Sequence, residues 1–291
     1  MRDSLVSVCI PAYNHEDYVQ ECIRSIILQD YENIELLIVD DGSSDKTWDR
    51  IVELKSECES RFVRVEFRHR ENRGRSQTFK ELLSMAQGEF IGEIASDDAY
   101  MPGAITTMVD FLGKHAEYGL VVGVNELMDS AGNRCFWAEG REIVDESNAV
   151  YKTLDEWIEK NCRIDLKGSD FGRYQSLLKA NHVPNGYLKR RKLVMQIDAY
   201  HTEAPLEDWW FHLQFSKITR YKHLPISTFR YRWHEGNSAH ELRRLMMEER
   251  MTLELERRCF PAVRLPFRAW LVLYVPLSFR ILWSRFKRRS R

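Results

Sequence analysis

The sequence predicts an α/β protein built on a doubly wound sheet, and three observations lead there. Short apolar runs alternate with segments of helical period through about residue 125. The second run, Ile34–Val39, is apolar at all but one position, which suits a strand covered on both faces rather than one. Four of the runs end in polar turns, and in such sheets ligands bind beyond the carboxyl ends of the strands.

"LVSVCI" (Leu5–Ile10) reads as the first buried strand, closed by Pro11. A helix follows, with Val19, Cys22, Ile23, Ile26 and Ile27 on one face. "IELLIV" (Ile34–Val39) is the second strand, and "DDGSSDKT" turns into a helix for which Ser44 is a plausible N-cap. "FVRVEF" (Phe62–Phe67), a helix over Arg75–Ala86 and "EFIGEIAS" (Glu89–Ser96) complete the alternation. Further on, "MDSAGNRCFW" suits a hairpin turning at Ala131–Asn133. "TLDEWIEKN" suits a short helix capped by Thr153 or Asp155, "EAPLEDWWFHLQFSKI" a helix carrying Asp208, and Ala239–Arg258 another helix.

The strand-end rule sets four polar segments on one rim: Pro11–Asn14, Asp40–Ser43, Arg70–Arg75 and Ser96–Asp98. The adjacent Asp97 and Asp98 repel each other when ionised, and neither can be buried cheaply without a partner. A solvated loop and a cation site both account for the pair, which by itself does not choose between them; hard divalent cations prefer carboxylate oxygens. The turn after the first strand lacks glycine and no P-loop occurs, which argues against dinucleotide oxidoreductases and P-loop NTPases.

Composition agrees with a globular chain of 291 residues, 44% hydrophobic and 30% charged. The net charge of −1 hides an asymmetry: ten of the 43 Lys and Arg fall after Glu256, where no acid occurs. The remaining 33 bases face 44 acids, so residues 1–256 carry a net −11. Six scattered cysteines fit neither a disulfide framework nor a metal cluster, and the N-terminus lacks a signal-peptide pattern; both fit a reducing cytoplasm.

"VSVCIPAYN", "IELLIVDDGSSDKT", "ENRGRS", "GEFIGEIASDDAYMP" and "YRWHEGNS" resemble, in order and spacing, the GT-A family 2 glycosyltransferases, over roughly residues 4–240. The likeness is greatest to bacterial enzymes that build O-antigen, capsule or exopolysaccharide. It implies a Rossmann-like mixed sheet flanked by helices: a nucleotide-binding part at 1–125, an acceptor-binding part at 126–240, and a helical region at 241–291. Pro11, Ala12, Tyr13 and Asn14 would border the nucleotide with Ser96 and Asp97, and Asp40 would accept from the uracil N–H. Arg73 or Arg75 would lie near the base or diphosphate. Asp98 would ligate Mn²⁺ or Mg²⁺, with His234 on the metal or diphosphate and Asp97 on the ribose side; the residues alone permit the two acids to exchange. Asp208 would be the catalytic base, with Glu207 able to exchange roles with it. Trp209 and Trp210 would be core or walls of the acceptor pocket.

The activity so implied is metal-dependent, inverting transfer from a UDP-sugar to a polyprenyl-diphosphate-linked glycan at the inner face of the cell membrane. The other class in view is a non-catalytic nucleotide-sugar-binding scaffold. The tail from Arg264 to Arg291 combines aromatics, leucines and arginines, but its longest uncharged run, Ala269–Phe279, is too short to span a bilayer. It is expected to lie on the membrane surface, with packing against the body as the alternative. The acidic body offers no basic face for nucleic acid.

Overall fold

The central strand of the parallel half is the first predicted one: in the computed structural model, which describes residues 3–237 and 240–275, β1 spans Val6–Ala12. Helix α1 (Val19–Ile27) buries Val19, Cys22, Ile23 and Ile26, the stripe its spacing predicts. Strand β2 (Ile34–Asp40) is buried along its whole length. There follow α2 (Thr47–Glu53), α3 (Lys55–Arg61), β3 (Arg64–His69), α4 (Arg75–Met85) and β4 (Phe90–Glu93). Both β2 and β4 pair parallel to β1, setting Leu36 and Gly92 opposite Val8, and β3 pairs parallel to β2.

The second half adds β5 (Ala99–Tyr100), α5 (Ala104–Lys114), β6 (Tyr118–Met128), the small pair β7 (Phe136–Trp137) and β8 (Ile143–Val144), and α6 (Leu154–Cys162). Then come α7 (Tyr174–Leu177), β9 (Leu188–Arg190), α8 (Arg191–Val194), α9 (Glu207–Phe215), β10 (Arg220–Arg232), α10 (Leu242–Cys259) and α11 (Phe267–Tyr274). The main sheet runs β3-β2-β1-β4-β9-β6-β10-β5. It is mixed, as the resemblance implied. The short β9 lies antiparallel between β4 and β6, and β10 runs parallel to β6. Two antiparallel steps restore direction, so β1, β2, β4, β6 and β10 all end on one rim. Strand β6 runs across residue 125, so both halves share this sheet.

Local chemistry moves several boundaries. The third strand starts two residues late, because Phe62 is buried at the end of α3 while Val63 is exposed. Ser44 does not cap α2: Asp45 Oδ1 accepts from the Thr47 N–H and hydroxyl instead, and the Ser44 N–H donates to Asn14. Thr153 caps α6 by accepting from Glu156 N–H, as one of the two predicted caps. Asp155 is buried instead, accepting from Asn125 N–H at 2.8 Å and lying 2.6 Å from His223 Nε2. Ala239, the predicted start of α10, lies outside the described residues.

One apolar cluster packs α1 and α5 onto the sheet, and a second gathers the region of α6, α9, α10 and α11. Within the second, α11 buries Ala269, Val272 and Leu273, leaving Phe267, Trp270 and Tyr274 exposed. The rest of the tail, 276–291, lies outside the described residues. No helix among those described is long and apolar enough to cross a membrane.

Candidate active site

The chain leaving β4 turns sharply, with Asp98 N–H donating to Ala95 O at 3.0 Å, and buries Ser96, Asp97 and Asp98 together. Arg232, the last residue of β10, meets this turn. Its backbone N–H donates to Asp98 Oδ1 at 2.9 Å and its Nε to the Asp97 carbonyl at 2.6 Å. The rest of the fully buried guanidinium donates to Asp129 O at 3.1 Å and pairs with Glu21, lying 4.8 Å over the Tyr18 ring. Asp98 is thus turned into the protein. Burial, and then the charge of Asp97, push its carboxyl well above the usual range against the pull of Arg232.

Asp97 turns the other way. Its Oδ2 lies 3.1 Å from His234 Nε2, and its Oδ1 lies 3.9 Å from His15 Nδ1. Burial alone would raise this carboxyl, but the His234 hydrogen bond and the positive potential of both imidazoles hold it below its ordinary value. One ligand atom each from His15, Asp97 and His234 fall within 4.8 Å of one another. Burial lowers His15 despite Asp97, which favours the neutral imidazole that can ligate. The metal was expected on Asp98 with His234. The three-residue donor cluster holds Asp97 and His15 beside His234, while Asp98 Oδ1 accepts from the Arg232 N–H.

The nucleotide-side loops lock onto one another. Asn14, at φ 52°, donates its backbone N–H to Ser43 Oγ, and its side-chain Oδ1 accepts from Ser44 N–H at 2.8 Å. Pro11 and Ala12 end β1, and Tyr13 is half exposed on the rim. The Asp40 side chain is fully buried, accepting from Ser43 Oγ and lying 2.6 Å from His69 Nδ1. Trp48 stacks on that imidazole at 5.2 Å. Asp40 therefore stands behind Ser43 and His69 rather than open to a base. Asp41 shapes the next loop, accepting from Arg73 N–H at 2.8 Å, Gly74 N–H at 3.0 Å and the Arg70 guanidinium. Gly42, at φ 75°, is required there, since a Cβ would sit 2.7 Å from Asn72 N. Arg73 is exposed on this rim.

Arg75 opens α4 and faces elsewhere: its Nε lies 3.3 Å from Glu207 Oε2, and its Nη2 donates to Pro205 O at 3.2 Å. Glu207 and Asp208 form a second acidic pair at the start of α9. Glu207 is buried, whereas Asp208 is exposed at the head of α9. Asp208 Oδ2 accepts from Asn181 Nδ2 at 2.8 Å and Oδ1 from Trp209 N–H at 2.6 Å. Burial pushes Glu207 up to about 7, with Arg75 opposing and Asp208 adding to the shift. Burial also raises Asp208, against Arg75 and its two hydrogen-bond donors. Trp209 and Trp210 are core, not pocket walls: both are buried, with indole N–H groups donating to Leu177 O and Asp198 O.

Sequence reasoning passed over His15, Arg232, Asn181 and a buried network behind the rim. In that network Glu93, at the end of β4, pairs with Lys189 at 2.6 Å, and Tyr200 donates to Glu93. A charged residue inside the apolar run "EFIGEIAS" was the available signal, because a buried carboxylate demands a partner. Arg232 stood within the quoted "YRWHEGNS" and His15 directly after "PAYN".

The model of glycosyl transferase family 2 matches residues 7–169, from β1 past the Asp97 turn. Glycosyltransferase GlyG of Streptococcus pneumoniae is 30% identical over 155 residues, which cover 52% of this chain and 49% of that one. The chain therefore spans about half the length of that relative. Among solved structures, mannosyltransferase PcManGT from Pyrobaculum calidifontis, in complex with GDP-Man and Mn²⁺, superposes with a TM-score of 0.64 at 15% identity. That match covers 95% of this chain and 71% of the other. Residues 1–349 of Staphylococcus aureus TarS, in complex with UDP-GlcNAc, give 0.58 at 18% identity, covering 95% and 77%. Both share the GT-A fold, and since the family model takes in more than half of the residues, the chain belongs to glycosyl transferase family 2.

Proposed function

We propose that this protein is an inverting glycosyltransferase that moves a sugar from a UDP-sugar to a polyprenyl-diphosphate-linked glycan. One observation carries the reading: two unlike acid sites serve one rim. Asp97 stands with His15 and His234 after β4, and Asp208 opens α9 next to Glu207, which meets Arg75 on the segment that follows β3. A cation site and a separate proton acceptor are what displacement of a nucleoside diphosphate by a hydroxyl requires.

His15, Asp97 and His234 fit a divalent cation, and two imidazoles beside one carboxylate suit Mn²⁺ better than Mg²⁺. Such an ion stabilises negative charge on the departing diphosphate. The protein's own groups do the rest. Asn181 and the Trp209 N–H each hold one Asp208 oxygen, fixing the carboxylate for a proton from the acceptor hydroxyl. Its raised pKa strengthens it as a base. The acceptor oxygen, giving its proton to Asp208, attacks opposite the departing diphosphate and inverts the anomeric centre, so an α-linked donor gives a β linkage. The exposed Phe267, Trp270 and Tyr274, with Arg264 and Arg268 nearby, support contact with the cytoplasmic face of a membrane bearing the acceptor.

The test is Asp208→Asn in the full chain, with UDP release from a panel of UDP-sugars as the readout. Transfer is expected to fall by about 10²- to 10⁴-fold, with UDP affinity retained. Undiminished turnover would refute the base. Failure of the unaltered protein to cleave or transfer any nucleotide sugar would leave the binding-scaffold reading.

A further inference from the structure

A cavity of about 450 Å³ lies far from the rim just described, at the opposite ends of the same strands. Its walls include Tyr118, which opens β6, the first four residues of β10 (Arg220–His223), and the loop before α7. Because β6 and β10 run parallel, these residues stand at the starts of strands whose ends carry Met128 and Arg232. Ten residues of strand from Lys222 to Arg232 put about 30 Å between the two places.

Two features of this cavity have no structural explanation. Lys167, Arg220 and Lys222 line it, and among the described residues no carboxylate pairs with any of them. These cations gather on a body of net −11, and a bound anion would relieve their mutual repulsion. His223 lines it too. That side chain is only 3% exposed, its Nε2 is taken by Asp155 at 2.6 Å, and its buried Nδ1 has no hydrogen-bond partner. A buried ring nitrogen left unsatisfied destabilises the fold unless a ligand meets it. With Nε2 taken by the Asp155 carboxylate, Nδ1 is the ring atom left to hydrogen-bond a ligand. The volume is that of a small-molecule site, and Phe171 and Tyr221 supply apolar wall.

We propose that this cavity is a second binding site, for a small phosphate-bearing anion. The three cations draw the ligand in, and His223 Nδ1 hydrogen-bonds it at the buried end. The site does not depend on the glycosyltransferase reading, since none of its residues lies on the nucleotide rim. The anion has two possible sources, a free phosphate ester or a phospholipid headgroup, with the same recognising chemistry.

The probe is inorganic pyrophosphate, titrated into the full chain labelled on its histidines, with His223 ring resonances read by NMR and affinity by calorimetry. The His223 signal is expected to shift. The double charge reversal Arg220→Glu with Lys222→Glu should weaken binding at the shifted site about tenfold or more, while Asp97→Asn leaves it intact. Both reversed residues have solvent-reaching side chains, so the variant folds; its far-UV circular dichroism checks this. An unmoved His223, or binding at that signal unaffected by the reversal, overturns the proposal. Loss of that binding in Asp97→Asn overturns it as well, because the anion would then be sensed from the rim. Phosphatidylglycerol vesicles in place of pyrophosphate separate the sources: a His223 shift with vesicles indicates a headgroup, and a shift with pyrophosphate alone indicates a free ester.

Discussion

Arg232 binds both members of the acidic pair and gives them opposite fates. Its backbone N–H donates to Asp98 Oδ1 at 2.9 Å, whereas its Nε takes the Asp97 carbonyl at 2.6 Å and leaves that carboxylate free to face His15 and His234. Two neighbouring acids thereby stand in different surroundings, one turned inward and one facing two imidazoles. Replacing Arg232 with Ala would strand the Asp97, Asp129 and Ser130 carbonyls without their donor. Breaking a buried charged contact of this kind is expected to cost about 3 kcal/mol, measured as a lower urea midpoint at unchanged slope.

The two aspartates should separate by substitution. Asp97→Asn should abolish Mn²⁺-dependent UDP binding, read by calorimetry with and without the ion. In Asp98→Asn the amide oxygen can still accept from Arg232 N–H, so Mn²⁺ dependence should persist. The opposite pattern would return the metal to Asp98.

The pH profile follows from Asp208. Its carboxyl is raised by burial, and a base acts only when ionised, so the rate should fall on acidification at a pH above the ordinary aspartate range. Arg75 pulls both Asp208 and Glu207 downward. Arg75→Gln should therefore move the acid limb of kcat to still higher pH. An unmoved limb would show that a different group titrates.

The outer face of α11 offers a test of membrane contact that spares its packing. Phe267 and Trp270 are exposed and stacked, whereas Ala269, Val272 and Leu273 hold the helix on the body. Phe267→Ser with Trp270→Ser should lower sedimentation with anionic vesicles while leaving the melting temperature within about 1–2 °C. Unchanged sedimentation would remove the surface-contact reading.

The alternation of strands and helices through β4 was legible because local periodicity states it directly: a strand covered on both faces is apolar throughout, and a half-buried helix is striped. The rim was legible for the same reason, since its loops are simply where strands stop. The order of β9, β6, β10 and β5 was not, because β9 has three residues and takes its place by pairing with β4 and β6 rather than from its own pattern. Asn181 was hidden in the same stretch.

What the sequence determined by itself is the parallel half of the sheet, the presence of an acidic pair at the end of β4 and the helix bearing Asp208. Tertiary structure alone decided what surrounds each acid. Asp97 and Asp98 are chemically equivalent in the chain, and only the arrival of β10, 134 residues later, supplies the N–H that turns Asp98 inward. It also brings His234 to Asp97. Asp40 was marked by its place at a strand end, yet His69 and Ser43 close over its carboxylate. A side chain's role here depends on which donors reach it, and those donors come from distant strands that only folding brings alongside.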